Sequence, residues 1–88
     1  MIKTERNLIL YLESLVMKRF TIEGLKEELE KKLEKEIVLE LIESDNDTID
    51  YNLIFNYENE YIFCDVDIYY AITRAKELYI TEVGYEFQ

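Results

Sequence analysis

Residues 49–69 read IDYNLIFNYENEYIFCDVDIY, and their alternation decides the fold. Ile49, Tyr51, Leu53, Phe55 and Tyr57 fall on one side of an extended chain, and Asp50, Asn52, Ile54 and Asn56 on the other. Glu58-Asn59-Glu60 is a turn. The period of two then resumes, with Ile62, Cys64, Val66 and Ile68 set against Tyr61, Phe63, Asp65, Asp67 and Tyr69. Successive side chains of a strand point to opposite faces, so this stretch predicts two antiparallel strands with one apolar face and one acidic, aromatic face.

Working outward, a short strand over Val38–Glu43 precedes this pair, closed by the turn-prone Ser44-Asp45-Asn46-Asp47. After Asp67 two readings compete. A helix over 68–80, capped by Asp67, would line up Ile68, Ala71, Ile72, Ala75 and Tyr79. The preferred reading continues the strand to Ile72, turns near Arg74–Lys76 and returns along Leu78–Phe87, because Tyr, Ile, Val and Thr dominate both arms. Gly84 is then a bulge or a close-approach position.

Before residue 38 the period is helical. Thr4 caps a first helix running to about Arg19, with Leu8, Leu12, Leu15 and Val16 as its apolar stripe. Thr21 caps a second from about Ile22 to Glu36, striped by Ile22, Leu25, Leu29 and Leu33, with Phe20 and Leu25 placed as a hydrophobic staple. The short link between them suggests an αα-hairpin. The fold class is α+β: one domain over 1–88, in which a helical hairpin (1–37) packs on one face of a three- to four-stranded antiparallel β-meander (38–88).

The chain's 88 residues include ten bases, twenty acids and no histidine, a net charge of −10. That charge is unevenly placed. Residues 1–37 hold eight acids and eight bases, whereas residues 38–88 hold twelve acids against Arg74 and Lys76 alone. Between Val38 and Thr73 there is no base at all, and seven of the eight Tyr lie in the acidic half. So strong an anion should not bind nucleic acid or acidic lipid directly.

Several chemistries are excluded by residue type. Without histidine there is no imidazole base and no histidine metal ligand. The lone Cys64 forms no intrachain disulfide and no Cys-rich zinc site, in keeping with a reducing cytoplasm. Two glycines build no phosphate-cradling loop. No apolar run reaches the ~18 residues of a membrane span, and the N-terminus lacks a signal-peptide layout. Asp45–Asp50 superficially suggests a calcium loop, but Ile49 stands where an oxygen ligand belongs, Asp50 where glycine does and Asn56 where the closing glutamate does. Asp65 and Asp67 are about 6.6 Å apart by strand rise and could share a Mg²⁺ with Glu82 or Glu60. Hydrolysis would also need a base or a lysine near the scissile phosphate, and the acidic field would repel that substrate. Cys64 sits on the predicted core face without a cation to activate it. The sequence therefore points to no catalytic, cofactor or metal residues, and to a protein that is not an enzyme.

What remains is the acidic, aromatic sheet face. Its carboxylates form a lattice with spacing comparable to phosphates on a nucleic-acid strand, which a Lys- and Arg-lined groove would accept as a substitute ligand. Exposed Tyr61, Phe63 and Ile54 would add the apolar anchor that charge lacks. In size, charge and organisation, though without a shared motif, the chain resembles the small acidic inhibitors encoded by phages and mobile elements. These are the DNA-mimic anti-restriction proteins, the uracil-DNA glycosylase inhibitors and many anti-CRISPR proteins. Ile, Asn, Lys, Tyr and Phe make up 35 of the 88 residues, which suits an AT-rich bacterial or phage gene.

The expectation is an inhibitor that blocks the nucleic-acid site of a bacterial defence or repair enzyme, a Cas effector foremost. Its partner-binding residues would be Asp50, Glu58, Glu60, Tyr61, Phe63, Asp65, Asp67 and Tyr69. The alternative is an interaction module, antitoxin-like or oligomerising, that binds through its helices; the leucine stripe of the second helix would then be a homodimer seam.

Overall fold

A computed structural model describes residues 2–42 and 51–88. Several expectations fall outside the described residues: the turn at 44–47, the calcium-like run 45–50, and Asp50 as a partner-binding residue.

The first helix, α1, spans Glu5–Ser14, with the Thr4 hydroxyl accepting from the Asn7 N–H at 3.1 Å. It is shorter than its stripe predicts. Met17 adopts a left-handed φ of 72°, donates its N–H to the Ile80 carbonyl, and hands the chain to a two-residue strand, β1 (Arg19–Phe20). No glycine, asparagine or proline marks this exit. The bond to Ile80 comes from a distant part of the chain and overrides local helix propensity.

The second helix, α2, spans Ile22–Leu33, where Thr21 accepts from the Gly24 N–H at 2.9 Å. Glu34, at φ 57°, ends it three residues before the expected limit. The helices are thus joined through a strand and do not form a tight αα-hairpin. Tyr11 of α1 reaches across to Glu28 of α2, its hydroxyl donating to the carboxylate at 3.3 Å.

The remaining strands are β2 (Glu40–Ile42), β3 (Tyr51–Glu58), β4 (Phe63–Ile72) and β5 (Leu78–Phe87). With β1 they make a five-stranded antiparallel sheet in the order β1-β5-β4-β3-β2, which confirms the α+β class and adds a strand to the three or four expected. The helical alternative for 68–80 is overturned, because that segment is strand, tight turn and strand. Its turn is closed by the Thr73 carbonyl and hydroxyl, which accept from the Lys76 and Glu77 N–H groups.

One face of the sheet is the core. Leu53, Phe55, Tyr57, Cys64, Val66, Ile68, Ile80 and Val83 are buried there, covered by Leu8, Leu12 and Leu15 of the first helical segment and Leu25, Leu29 and Leu33 of α2. Burial of Leu25, Leu29 and Leu33 removes them as a dimer seam. Ile22, by contrast, is 51% exposed and leaves the stripe.

The ladder between β4 and β5 shifts register at Tyr69/Tyr70, where Tyr69 faces Glu82 and Tyr70 faces Ile80. Thr81 is the extra residue, so the bulge lies there and not at Gly84. A Cβ added at Gly84 would meet nothing closer than 3.7 Å and its φ is not positive, so neither a bulge nor a close approach requires this glycine.

Candidate partner-binding face

The ladder registers place the acids. On β3 and β4, Asn56 faces Asp65, Ile54 faces Asp67, Asn52 faces Tyr69 and Glu58 faces Phe63. On β4 and β5, Asp65 faces Glu86, Asp67 faces Gly84 and Tyr69 faces Glu82. At the other edge Glu40 faces Ile54. Cross-strand partners project to the same side of a sheet. Every acid in the five strands (Glu40, Glu58, Asp65, Asp67, Glu82 and Glu86) therefore lies on the face opposite the core.

Of the expected residues, the sheet brings Glu58, Phe63, Asp65, Asp67 and Tyr69 onto this one face. Phe63 is 41% exposed; Asp65 is exposed, and Asp67 and Tyr69 are half-buried. Tyr61 and Glu60 are exposed in the turn beside the Glu58 end, Tyr61 with the Lys3 ammonium 6.0 Å from its ring centre. The sequence reading missed Glu40 and Glu86 as members of the face and considered Glu82 only as a metal ligand. The signal for β5 was present: its apolar residues run Leu78, Ile80, then Val83, Tyr85 and Phe87, and that one-residue slip is the bulge that turns Glu82 and Glu86 outward.

Bases stand at the margins. Arg19 is the one base in the five strands; it sits on the two-residue edge strand β1, its guanidinium 5.9 Å from the Tyr79 ring centre. The Lys35 ammonium donates to the Glu58 main-chain carbonyl at the opposite end.

Amides hold the central carboxylate. Asp65 accepts from the Asn56 side-chain amide at 2.9 Å through one oxygen and from that of Gln88 at 2.7 Å through the other. These donors are uncharged, so they fix the orientation of the carboxylate without neutralising it. Asn52 stands beside Asp67 in a longer contact of 3.4 Å. Beside these rows lies an open groove of about 680 Å³, where Glu36, Val38 and Glu40 face Ile54, Asp65 and Asp67.

The proposed third metal ligands do not converge on the Asp65/Asp67 pair: Glu82 lies in the Tyr69 row and Glu60 in the turn. Among the described residues no three His, Cys, Asp or Glu side chains are grouped as a metal site. Cys64 is fully buried, and burial above all pushes its thiol up to about 11; a hydrogen bond from the Glu86 backbone opposes this, and the Asp65 and Glu5 charges add smaller upward pushes. It is a core side chain, as its strand position predicts. Among the described residues no helix is long and apolar enough to cross a membrane. Comparison with protein-family models, with curated proteins and with solved structures yields no match, so geometry alone carries the functional reading.

Proposed function

We propose that this protein is an inhibitor that occupies the nucleic-acid-binding groove of a bacterial defence or repair enzyme, a Cas effector foremost, by presenting its acidic sheet face in place of phosphates. One observation carries the reading. Six carboxylates from four strands share a single face, with Phe63, Tyr69 and Ile54 between them and the one base of the strands, Arg19, on the edge strand β1. A face kept only for solvation needs neither a half-buried tyrosine and an exposed phenylalanine among its acids nor a central carboxylate held at both oxygens. A groove built to grip phosphate supplies the opposite charge and the steering field for such a lattice.

The test is capture of partners from a bacterial lysate on the immobilised protein, with elution by competing duplex DNA. The double variant Asp65→Lys, Asp67→Lys should retain the fold and lose the captured protein. A partner held equally well by that variant, or one that excess DNA does not displace, overturns mimicry. The alternative of binding through the helices predicts instead that Lys31→Glu on α2 weakens capture more than changes on the sheet; Lys35 lies past the end of α2, bonded to Glu58, and does not separate the two.

A further inference from the structure

We propose that the outer edge of β5, from Val83 to Phe87, is a strand-addition site for an extended segment of a partner protein bearing Lys or Arg at alternate positions. β1 covers only the start of β5: it pairs at Leu78 and Tyr79, and the last main-chain bonds on that side are those of Ile80 with Met17 and Lys18. Beyond Ile80 no described strand pairs with β5 on the side away from β4, and α1 packs against β5 through the core that holds Leu8, Leu12, Ile80 and Val83.

The direction of the free groups follows from the ladder. The Gln88 N–H donates to the Phe63 carbonyl, toward β4, at 2.9 Å. Main-chain groups alternate along an antiparallel strand, so those of Glu86 and Gly84 also face β4, while those of Val83, Tyr85 and Phe87 face outward. The Thr81 bulge is what shifts the outward set from Ile80 to Val83. Three N–H and three C=O groups thus form a template on an edge that native proteins usually shorten or cover.

Charge chooses the occupant. Glu82 and Glu86 flank this edge on the acidic face, both exposed, and Gly84 between them adds no bulk. A second copy of this chain brings the same acids to the edge: paired about Gly84 it sets Glu82 against Glu86 twice, and paired about Tyr85 it sets the two Glu86 carboxylates diagonally across from each other, and like charges facing one another across strands are destabilising. An added strand with Lys or Arg on that side would meet both carboxylates while its main chain bonds the edge. The inference goes beyond mimicry, since it requires main-chain hydrogen bonds that a purely electrostatic face does not.

The probe is the peptide acetyl-Lys-Val-Lys-Val-Lys-Val-Lys-amide, added to isotope-labelled protein and followed by amide hydrogen exchange and chemical shifts. Protection should appear selectively at Val83, Tyr85 and Phe87, and N-methylation of alternate peptide nitrogens should weaken binding at least about tenfold. Tyr85→Pro removes one outward N–H and leaves the β4 ladder intact, so it should abolish protection at its neighbours. Equal affinity for the N-methylated peptide overturns the proposal, as do shifts confined to the Asp65 and Asp67 rows. Protection that grows with protein concentration in the absence of peptide assigns the edge to a second copy and also overturns it. If Tyr85→Pro does not fold, the methylated pair of peptides decides. Failure here leaves the charge-reversal test of the open face unaffected.

Discussion

Replacing Glu86 by Gln should make the fold more stable and the complex with a basic partner weaker. Glu86 is exposed on β5 directly opposite Asp65 on β4. Directly opposite residues stand with Cα atoms about 4.5–5.5 Å apart and project to the same side, so two carboxylates there are roughly 5–6 Å apart. Coulomb repulsion at that distance in water is about 0.7 kcal/mol. Salt at physiological strength roughly halves it, and the diagonal approach of Asp67 restores about 0.2 kcal/mol. The gain on neutralisation is therefore about 0.5 kcal/mol near physiological salt and about 1 kcal/mol at low salt.

For a chain of this size that is a rise in Tm of roughly 2–4 °C, or twice that at low ionic strength. Glu86 is the right probe because its neighbour is hydrogen-bonded. Removing Asp65 would also orphan the Asn56 and Gln88 amides and confuse the sign. The assay is thermal unfolding of Glu86→Gln and the parent chain across a salt series, beside affinity for the captured partner. A variant that melts no higher than the parent at low salt refutes the reasoning, since the lattice would then not be close enough for its charges to feel one another. A stabilised variant with unchanged affinity would show that the charges are crowded for a reason other than this partner.

Two further outcomes follow from the packing. Asn59 ties the β3–β4 turn together: its amide donates to the Ile2 carbonyl and the Tyr57 hydroxyl, each at 2.8 Å, and its carbonyl oxygen accepts from the Tyr61 and Ile62 N–H groups. Asn59→Ala should cost about 2–4 kcal/mol in urea unfolding, with Asn59→Asp between it and the parent, because two of these bonds need only an acceptor. A loss under about 1 kcal/mol would show that water replaces the network. Cys64 should react negligibly with iodoacetamide at pH 8 in the native chain and fully in guanidinium, since both burial and its raised pKa suppress the thiolate. The folded state holds that proton more tightly, so the contribution of this group to stability is complete below pH 9 and fades as pH rises toward about 11. Rapid native alkylation at pH 8 would contradict the packing.

The legible parts of the fold are those in which local pattern and tertiary packing agree. Both N-caps, the buried leucines of both helices and the alternating faces of β3 and β4 follow from spacing alone, because each residue's periodicity is also its burial. β1 was not legible. Arg19–Phe20 carries no strand pattern, and it is a strand only because Ile80 offers a hydrogen-bonding edge to Met17 and Lys18. The early ends of both helices were hidden for a related reason: Met17 and Glu34 hold left-handed φ values without the glycine or asparagine that advertises them. The acidic face was only partly visible, since Asp65 and Asp67 reveal their side by alternation within β4, whereas Glu86 does so only once the slip between Ile80 and Val83 is recognised and Glu40 only through its register.

Those registers sharpen the functional argument beyond what net charge could do. Twelve acids in the second half of a chain are compatible with any distribution around a sheet. The bulge at Thr81 is the element that decides the matter on β5. With strict alternation from Ile80, Glu82 and Glu86 would have turned toward the core and Val83 toward water, an arrangement that buries two charges without partners. One inserted residue buries Val83 and sends both carboxylates to the side already occupied by Asp65 and Asp67. The same slip moves the unpaired main-chain groups of β5 to Val83, Tyr85 and Phe87. Deleting Thr81 should therefore disrupt core, acidic face and free edge together, which is why charge at Asp65 and Asp67 and hydrogen bonding at Tyr85 must be perturbed separately to tell the two proposed contacts apart.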